Sequence, residues 1–217
     1  MRIILFTTIF LFFTVCVFAT GQTPDKVIYK GKEYSLNTNP LETFFKKNPQ
    51  LNPKDGWTST ALWRGYVATF KIEDNQLFVK DIVVMDVDTT GGSDTTKWKS
   101  VFNQVFPNQE QVKVDWLTGI LVIPNGKLVN YVHMGYASTY KKYILLEIQK
   151  GNLIQEKNMK RLEYEKFKNK QFKAFQKTVE YKKLKEELKK NGGGTDAFLD
   201  SFIRIYDTNY TTKILTE

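Results

Sequence analysis

The chain's single histidine, His133, lies in Tyr131-Val-His-Met-Gly-Tyr-Ala-Ser-Thr-Tyr140, beside Tyr131, Tyr136, Tyr140 and Ser138. A serine nucleophile activated by this histidine would need Ser138 or Ser59, with a carboxylate such as Asp115, to converge on it. Neither serine stands in the Gly-x-Ser-x-Gly turn that exposes such a nucleophile. One histidine cannot supply a His-x-x-x-His zinc pair. His133 is therefore read three ways: a general base, part of a binding surface, or a packed structural residue. Asp81, Asp86 and Asp88 are close in sequence, and paired carboxylates can hydrolyse glycosides if they face one another across a cleft. Asp86, Asp88, Thr89, Thr90 and Asp94 offer oxygen ligands, but not at the spacing of an EF-hand loop. The run TTGGSDTT (89–96) lacks the lysine of a phosphate-binding loop. No cofactor and no resident metal is expected.

Three short stretches combine a glycine with aromatic and polar residues: Trp63-Arg64-Gly65-Tyr66, Asp115-Trp116-Leu-Thr-Gly119 and His133-Met-Gly-Tyr136. Glycines in strands mark bulges or close backbone approach. If their strands are neighbours, Arg64 can pair with Asp115 and orient the tryptophans. Trp63, Arg64, Tyr66, Asp115, Trp116, His133, Tyr136 and Tyr140 thus form one candidate binding surface, with aromatic and arginine residues of the kind that dominate protein interfaces.

The elements that must position these residues read as an α+β fold, a mainly antiparallel sheet with short helices. Val27–Tyr29 and Tyr34–Leu36, with Gly31 between, predict a hairpin. Asn39 and Pro40 predict the cap and first turn of a short helix through Phe44 and Phe45, closed by Pro49 and Pro53. Residues 61–72 and 77–87 predict two long strands joined by a Glu73–Gln76 turn, with Tyr66, Ala68, Phe70 and Ile72 on one face. Trp98, Val101, Phe102 and Val105 have helical spacing. Residues 112–123 predict a strand, Pro124-Asn125-Gly126 a turn, 127–134 a returning strand, and 143–149 the last strand. About six strands result, in a domain over residues 26–151.

Residues 156–190 carry 13 Lys/Arg against 6 Asp/Glu, which is most of the formal charge of +9. From Met159 to Lys190 there is no Gly or Pro, and Tyr164, Phe167, Ala174, Phe175, Val179 and Tyr181 share one face at 100° per residue. This predicts one long basic amphipathic helix, stopped by Gly192-Gly193-Gly194. Its apolar face either packs on the sheet, docks on an anionic membrane surface, or binds a partner. No base-reading module accompanies the charge, so nucleic acid is not expected. The tail, residues 195–217, holds Phe202-Ile-Arg-Ile-Tyr206, read as a further strand or a docking segment, and Asn209-Tyr-Thr211, a glycosylation acceptor pattern.

At the other end, Arg2, the apolar run from Ile3 to Phe18, and Ala19-Thr20-Gly21 have the order of a secretory signal peptide over residues 1–21, cut before Gln22. The only cysteine, Cys16, would leave with it. The mature chain would then be periplasmic or extracellular without a disulfide, and thiol catalysis and cysteine-ligated metals would be excluded.

The stretches TALWRGYVATFKIEDNQLFVKDI and VDWLTGILVIPNGKLVNYVHMGYASTYKKYILLEIQKG, with the lead IYKGKEYSL and NPLETFF, resemble a family of uncharacterised bacterial proteins over about residues 26–151. The Ala-Thr-Gly-Gln cut site resembles those of proteins secreted by Bacteroidota-type bacteria. The cut-site resemblance implies export, and the family brings no residue roles. The expected function is a non-enzymatic exported protein that binds a protein partner, as an inhibitor or immunity-like module. The alternatives are a hydrolase using His133 or the strand carboxylates, and a peripheral membrane protein docking through Met159 to Lys190.

Overall fold

The computed structural model describes residues 21–53, 56–88, 95–206 and 209–214. The leader expected at residues 1–21 lies outside them except for Gly21, as do residues 89–94 of the loop expected at 89–96. Among the described residues no helix is long and apolar enough to cross a membrane.

The fold is α+β, with a mixed, mostly antiparallel sheet. Two-residue hairpins build most of it. β1 (Asp25–Tyr29) and β2 (Lys32–Leu36) turn at Lys30-Gly31, with φ of 50° and 74°. β3 (Tyr66–Glu73) and β4 (Gln76–Asp88) turn at Asp74-Asn75, with φ of 49° and 56°. β5 (Thr95–Ser100) and β6 (Val112–Lys113) both pair with β4. β7 (Gly119–Asn130) and β8 (Thr139–Gln149) are antiparallel, and β8 turns into β9 (Asn152–Lys160) at Lys150-Gly151, with φ of 46° and 75°. Left-handed φ at both central residues matches the twist of the flanking strands, so these turns fix register.

The strand order is β2-β1-β3-β4-β9-β8-β7, and the one parallel pair is β1 with β3. The two end strands then approach one another: Asn37 N–H donates to the Val122 carbonyl at 2.8 Å, and Val122 N–H to the Thr38 hydroxyl at 3.4 Å. The sheet is therefore curled into a nearly closed cylinder. Its inside is filled by alternating residues of facing strands, among them Val27, Leu36, Tyr66, Phe70, Leu77, Ile82, Leu121, Ile123 and Leu146. Helix α1 (Pro40–Lys47) adds Leu41 and Phe45 to this core, and α2 (Phe102–Val105) adds Phe102 and Val105.

The outer face of β7–β9 carries a second apolar cluster, Ile120, Val122, Tyr143, Leu145 and Met159, covered by Tyr164 of α3 (Arg161–Phe175). Tyr164 stacks on Tyr143 with ring centroids 3.9 Å apart. Beyond it, Phe172 and Phe175 meet Tyr181 of α4 (Val179–Lys190), Ile203 of α5 (Asp196–Tyr206) and Tyr210 of α6 (Asn209–Thr212) in a third, all-helical core.

Several expectations are corrected. The single long basic helix is not formed. Residues 156–160 pair with β8, and the remainder breaks at Thr178, whose hydroxyl accepts from Tyr181 N–H at 3.1 Å and caps α4. The break folds Tyr181 back onto Phe172 and Phe175, and leaves Val179, read as part of the apolar face, 68% exposed. The tail is helical rather than a strand, because α5 supplies Leu199 and Ile203 to the helical interior. Residues 61–65 are turns, ending at Gly65 with φ of 77°. Trp98 is on a strand, since pairing with β4 holds residues 95–100 extended, and the helix starts only at Phe102. Pro124-Asn125-Gly126 does not reverse the chain. β7 runs through it: Pro124 and Asn125 pair with β8, the register shifts before Leu128, and Gly126 takes φ of 78°. The true reversal is at residues 131–138.

Candidate functional site

Arg64 organises the region around the histidine segment. Gly65 turns the chain into β3 and leaves the Arg64 side chain pointing inward, 1% exposed. There, Nη2 donates to Asp25 Oδ1 at 3.2 Å and to the Thr23 carbonyl at 3.1 Å. Nη1 donates to Asn39 Oδ1 at 2.7 Å and to the Tyr136 hydroxyl oxygen at 2.8 Å. Tyr136 in turn donates to Asn39 Oδ1 at 2.9 Å. The guanidinium also lies 5.5 Å from the centre of the Tyr66 ring, and the Tyr66 hydroxyl donates to Glu42 Oε1 at 2.7 Å. One cation thus ties together the N-terminal lead, the start of α1, β3 and the β7–β8 loop.

Asp25 is fully buried, and its Oδ1 also accepts from Ala68 N–H at 2.9 Å. Burial pushes its carboxyl up to about 6, against the lowering effect of Arg64 and the Ala68 N–H. Burial also opposes the charge on Arg64, but Asp25, Tyr136 and Tyr66 outweigh it and hold the guanidinium above its ordinary range. The pair is single-point: Asp25 Oδ2 and Arg64 Nε are buried and have no hydrogen-bond partner among the described residues. Each such group costs roughly 1–3 kcal/mol.

Above this network sits the β7–β8 loop. Val132 N–H donates to the Ser138 hydroxyl at 3.0 Å, and that hydroxyl donates back to the Val132 carbonyl at 3.3 Å. Met134 N–H and Ala137 N–H close two more turns at 2.8 and 2.9 Å, and Gln22 N–H donates to the Gly135 carbonyl at 3.1 Å. Gly135 supplies a φ of 49°. The loop is therefore held by its own backbone, by the N-terminal lead and, through Tyr136, by Arg64. Its outward side shows Tyr131, 56% exposed, against an exposed His133, ring centroids 4.5 Å apart and edge to face. Leu128 and Val129 of β7 are half exposed beside it, and Trp63, adjacent to Arg64, is 58% exposed.

Of the eight residues expected to share a surface, Arg64, Tyr66 and Tyr136 meet, but in the interior. Trp63 and His133 are exposed on the two loops that Arg64 joins. Trp116 is half buried inside: its Nε1 donates to the Pro40 carbonyl at 3.1 Å and its ring lies 4.7 Å from that of Phe44. Asp115 is exposed, and the expected Arg64–Asp115 pair is replaced by Arg64–Asp25. Tyr140 belongs to the outer cluster under α3, its N–H donating to the Tyr143 hydroxyl at 2.9 Å.

Two members of the network went unread. Asn39 looks like a helix cap but makes no capping bond, because its side chain accepts from Arg64 and Tyr136. Asp25 stands two residues before Val27 and four before Tyr29, on the inward side of the strand. A carboxylate at an inward position is the sequence signal of a buried counter-ion.

The triad reading finds little support. Ser138 is committed to Val132, the Ser59 hydroxyl accepts from Leu62 N–H at 3.1 Å, and Asp115 stands on the connection between β6 and β7. The oxygen cluster around Asp86 falls partly outside the described residues. Among those described, no group of three His, Cys, Asp or Glu residues could hold a metal ion. No family model, no curated protein and no solved structure matches this chain.

Proposed function

We propose that this is an exported bacterial protein that binds a protein partner without catalysis, as an inhibitor or immunity-like module, through the β7–β8 loop and Trp63. The observation that supports this reading most is the loop's construction. A buried arginine fixes Tyr136 from beneath, while Tyr131, His133, Leu128 and Val129 stand outward with Trp63 on the adjoining loop. A loop already ordered in the free protein loses little entropy on binding, and exposed Tyr and Trp supply most interface energy. The resemblance of the Ala-Thr-Gly-Gln cut site to those of secreted bacterial proteins fits a partner met outside the cytoplasm.

The membrane reading is weakened by what the apolar residues of the basic segment already do. Tyr164 and Phe167 pack on the sheet, and Phe172, Phe175 and Tyr181 pack among helices. An interfacial helix needs that face free.

The test is affinity capture from the exported fraction of the host, with wild-type protein and a Trp63→Ala/Tyr131→Ala variant of equal thermal stability. The reading predicts one protein retained by the wild type and lost from the variant. Identical captures by both would contradict it.

A further inference from the structure

A separate groove lies on the opposite side of the sheet from the curled interior, between α3 and β8–β9, with a volume of about 830 Å³. The sheet register explains its shape. Tyr143 and Met159 form one cross-strand row on the outer face, Val122, Leu145 and Lys157 the next, and Ile120, Glu147 and Gln155 a third. Tyr164 covers the first row by stacking on Tyr143. The other two rows contribute Leu145, Lys157, Ile120, Glu147 and Gln155 to the groove, with Met159 at its edge. Phe167 and Ile214 complete the apolar lining, and Lys166 and Lys170 stand on the α3 wall.

The charges are asymmetric. Lys157, Lys166 and Lys170 line the groove against Glu147 and Glu163, and Glu163 already accepts from the Lys160 N–H at 2.7 Å. Lys157 and Lys166 form no ion pair within 4 Å among the described residues. Two ammonium groups without an ion pair among the described residues, one on the floor and one on the wall, therefore border a trough of the size that holds a small molecule, its apolar strip of Ile120, Leu145, Met159, Phe167 and Ile214 flanked by Gln155 and Asn158. Their aliphatic stems add to the apolar lining while the charged ends stay in water.

We propose that this groove binds the alkyl chain of a fatty carboxylate, with its head between Lys157 and Lys166. Charge selects the anion: a cationic amphiphile of equal length would meet the lysines with like charge. The site is distinct from the β7–β8 loop and does not depend on the partner reading.

The test uses laurate, and dodecyltrimethylammonium as its cationic counterpart, both below their micelle concentrations. Calorimetry should give saturable one-to-one binding of laurate and at least tenfold weaker binding of the cation. The Met159 methyl resonance, assigned with a Met159→Leu variant, should move along the same titration curve. K157Q/K166Q should weaken laurate roughly tenfold, the sum of two partly exposed ion pairs, and strengthen binding of the cation by relieving its repulsion. These lysines are exposed, so the variant should keep the wild-type melting temperature. Equal binding of the two amphiphiles, an unchanged laurate affinity in K157Q/K166Q, or a Met159 signal that does not move would each overturn the proposal. So would binding seen only with anionic vesicles and not with monomeric laurate.

Discussion

Asp25 should make the protein less stable as pH rises through 6. Its carboxyl titrates near 3.8 when exposed and is pushed up to about 6 in the fold. Between those values the unfolded chain has released the proton and the folded chain has kept it. A group raised in this way contributes stability that is complete below about 3.8 and is lost as pH passes the folded value. The difference of about 2 pH units is worth about 3 kcal/mol, a large share of the stability of a domain this size. Glu73, Glu156, Asp196 and Asp200 act in the opposite sense, because hydrogen bonds to Lys71, Lys30, Lys189 and Lys185 hold their carboxyls low. Those pairs lie at or near the surface, and the raw pH profile mixes them with Asp25. Subtracting an Asp25→Asn variant isolates the buried group. The amide keeps an acceptor for Ala68 N–H and Arg64 and does not titrate. Urea unfolding at pH 4 to 7.5 should show wild-type stability falling by about 2.4 kcal/mol relative to the variant, the remainder having been lost below pH 4. A difference that stays flat, or that grows in favour of the wild type toward pH 7.5, would refute the reasoning. It would mean that Arg64, not burial, sets the charge of Asp25.

Three other substitutions probe the construction. Tyr136→Phe removes a hydroxyl that accepts from Arg64 and donates to Asn39; it should cost about 1–3 kcal/mol and speed amide exchange at Met134 and Ala137, measured by hydrogen–deuterium exchange. Thr178→Ala should cost about 1 kcal/mol in chemical denaturation, because it uncaps α4. Gly151→Ala should destabilise more strongly than Thr178→Ala in the same assay: Gly151 has φ of 75°, and an added Cβ would stand 2.8 Å from the Val114 carbonyl oxygen.

The hairpins were legible because their signals are local. Lys30-Gly31 and Asp74-Asn75 lie between alternating apolar runs, and the inward face of Tyr66, Ala68 and Phe70 follows from period two alone. The errors arise where a tertiary partner decides. β9 is polar along most of its length and is a strand because β8 stands next to it. Pro124-Asn125-Gly126 has strong turn chemistry, yet β8 pairs with Pro124, Asn125 and Leu128 and absorbs it as an irregularity. The basic segment scans as one helix because nothing within it forbids continuation. The convergence of Phe175, Tyr181, Ile203 and Tyr210, with the local cap at Thr178, favours the break there. At the candidate site, two of the glycine-aromatic stretches hold Arg64 and Tyr136, which meet in the interior, but Arg64's counter-ion lies 39 residues away at the start of β1. The alternation marks Asp25 as an inward carboxylate, but it does not name the partner.

The β7–β8 loop is held from beneath by Arg64, and the proposal makes its outward side the partner surface. Photo-crosslinking from position 131 in the exported fraction tests this most directly, with position 154, an equally exposed site on β9, as the control. The prediction is one adduct from position 131, none from 154, and loss of the adduct when Arg64→Met releases the loop in a protein that still folds. Adducts of equal yield from both positions, or an adduct indifferent to Arg64, would contradict it.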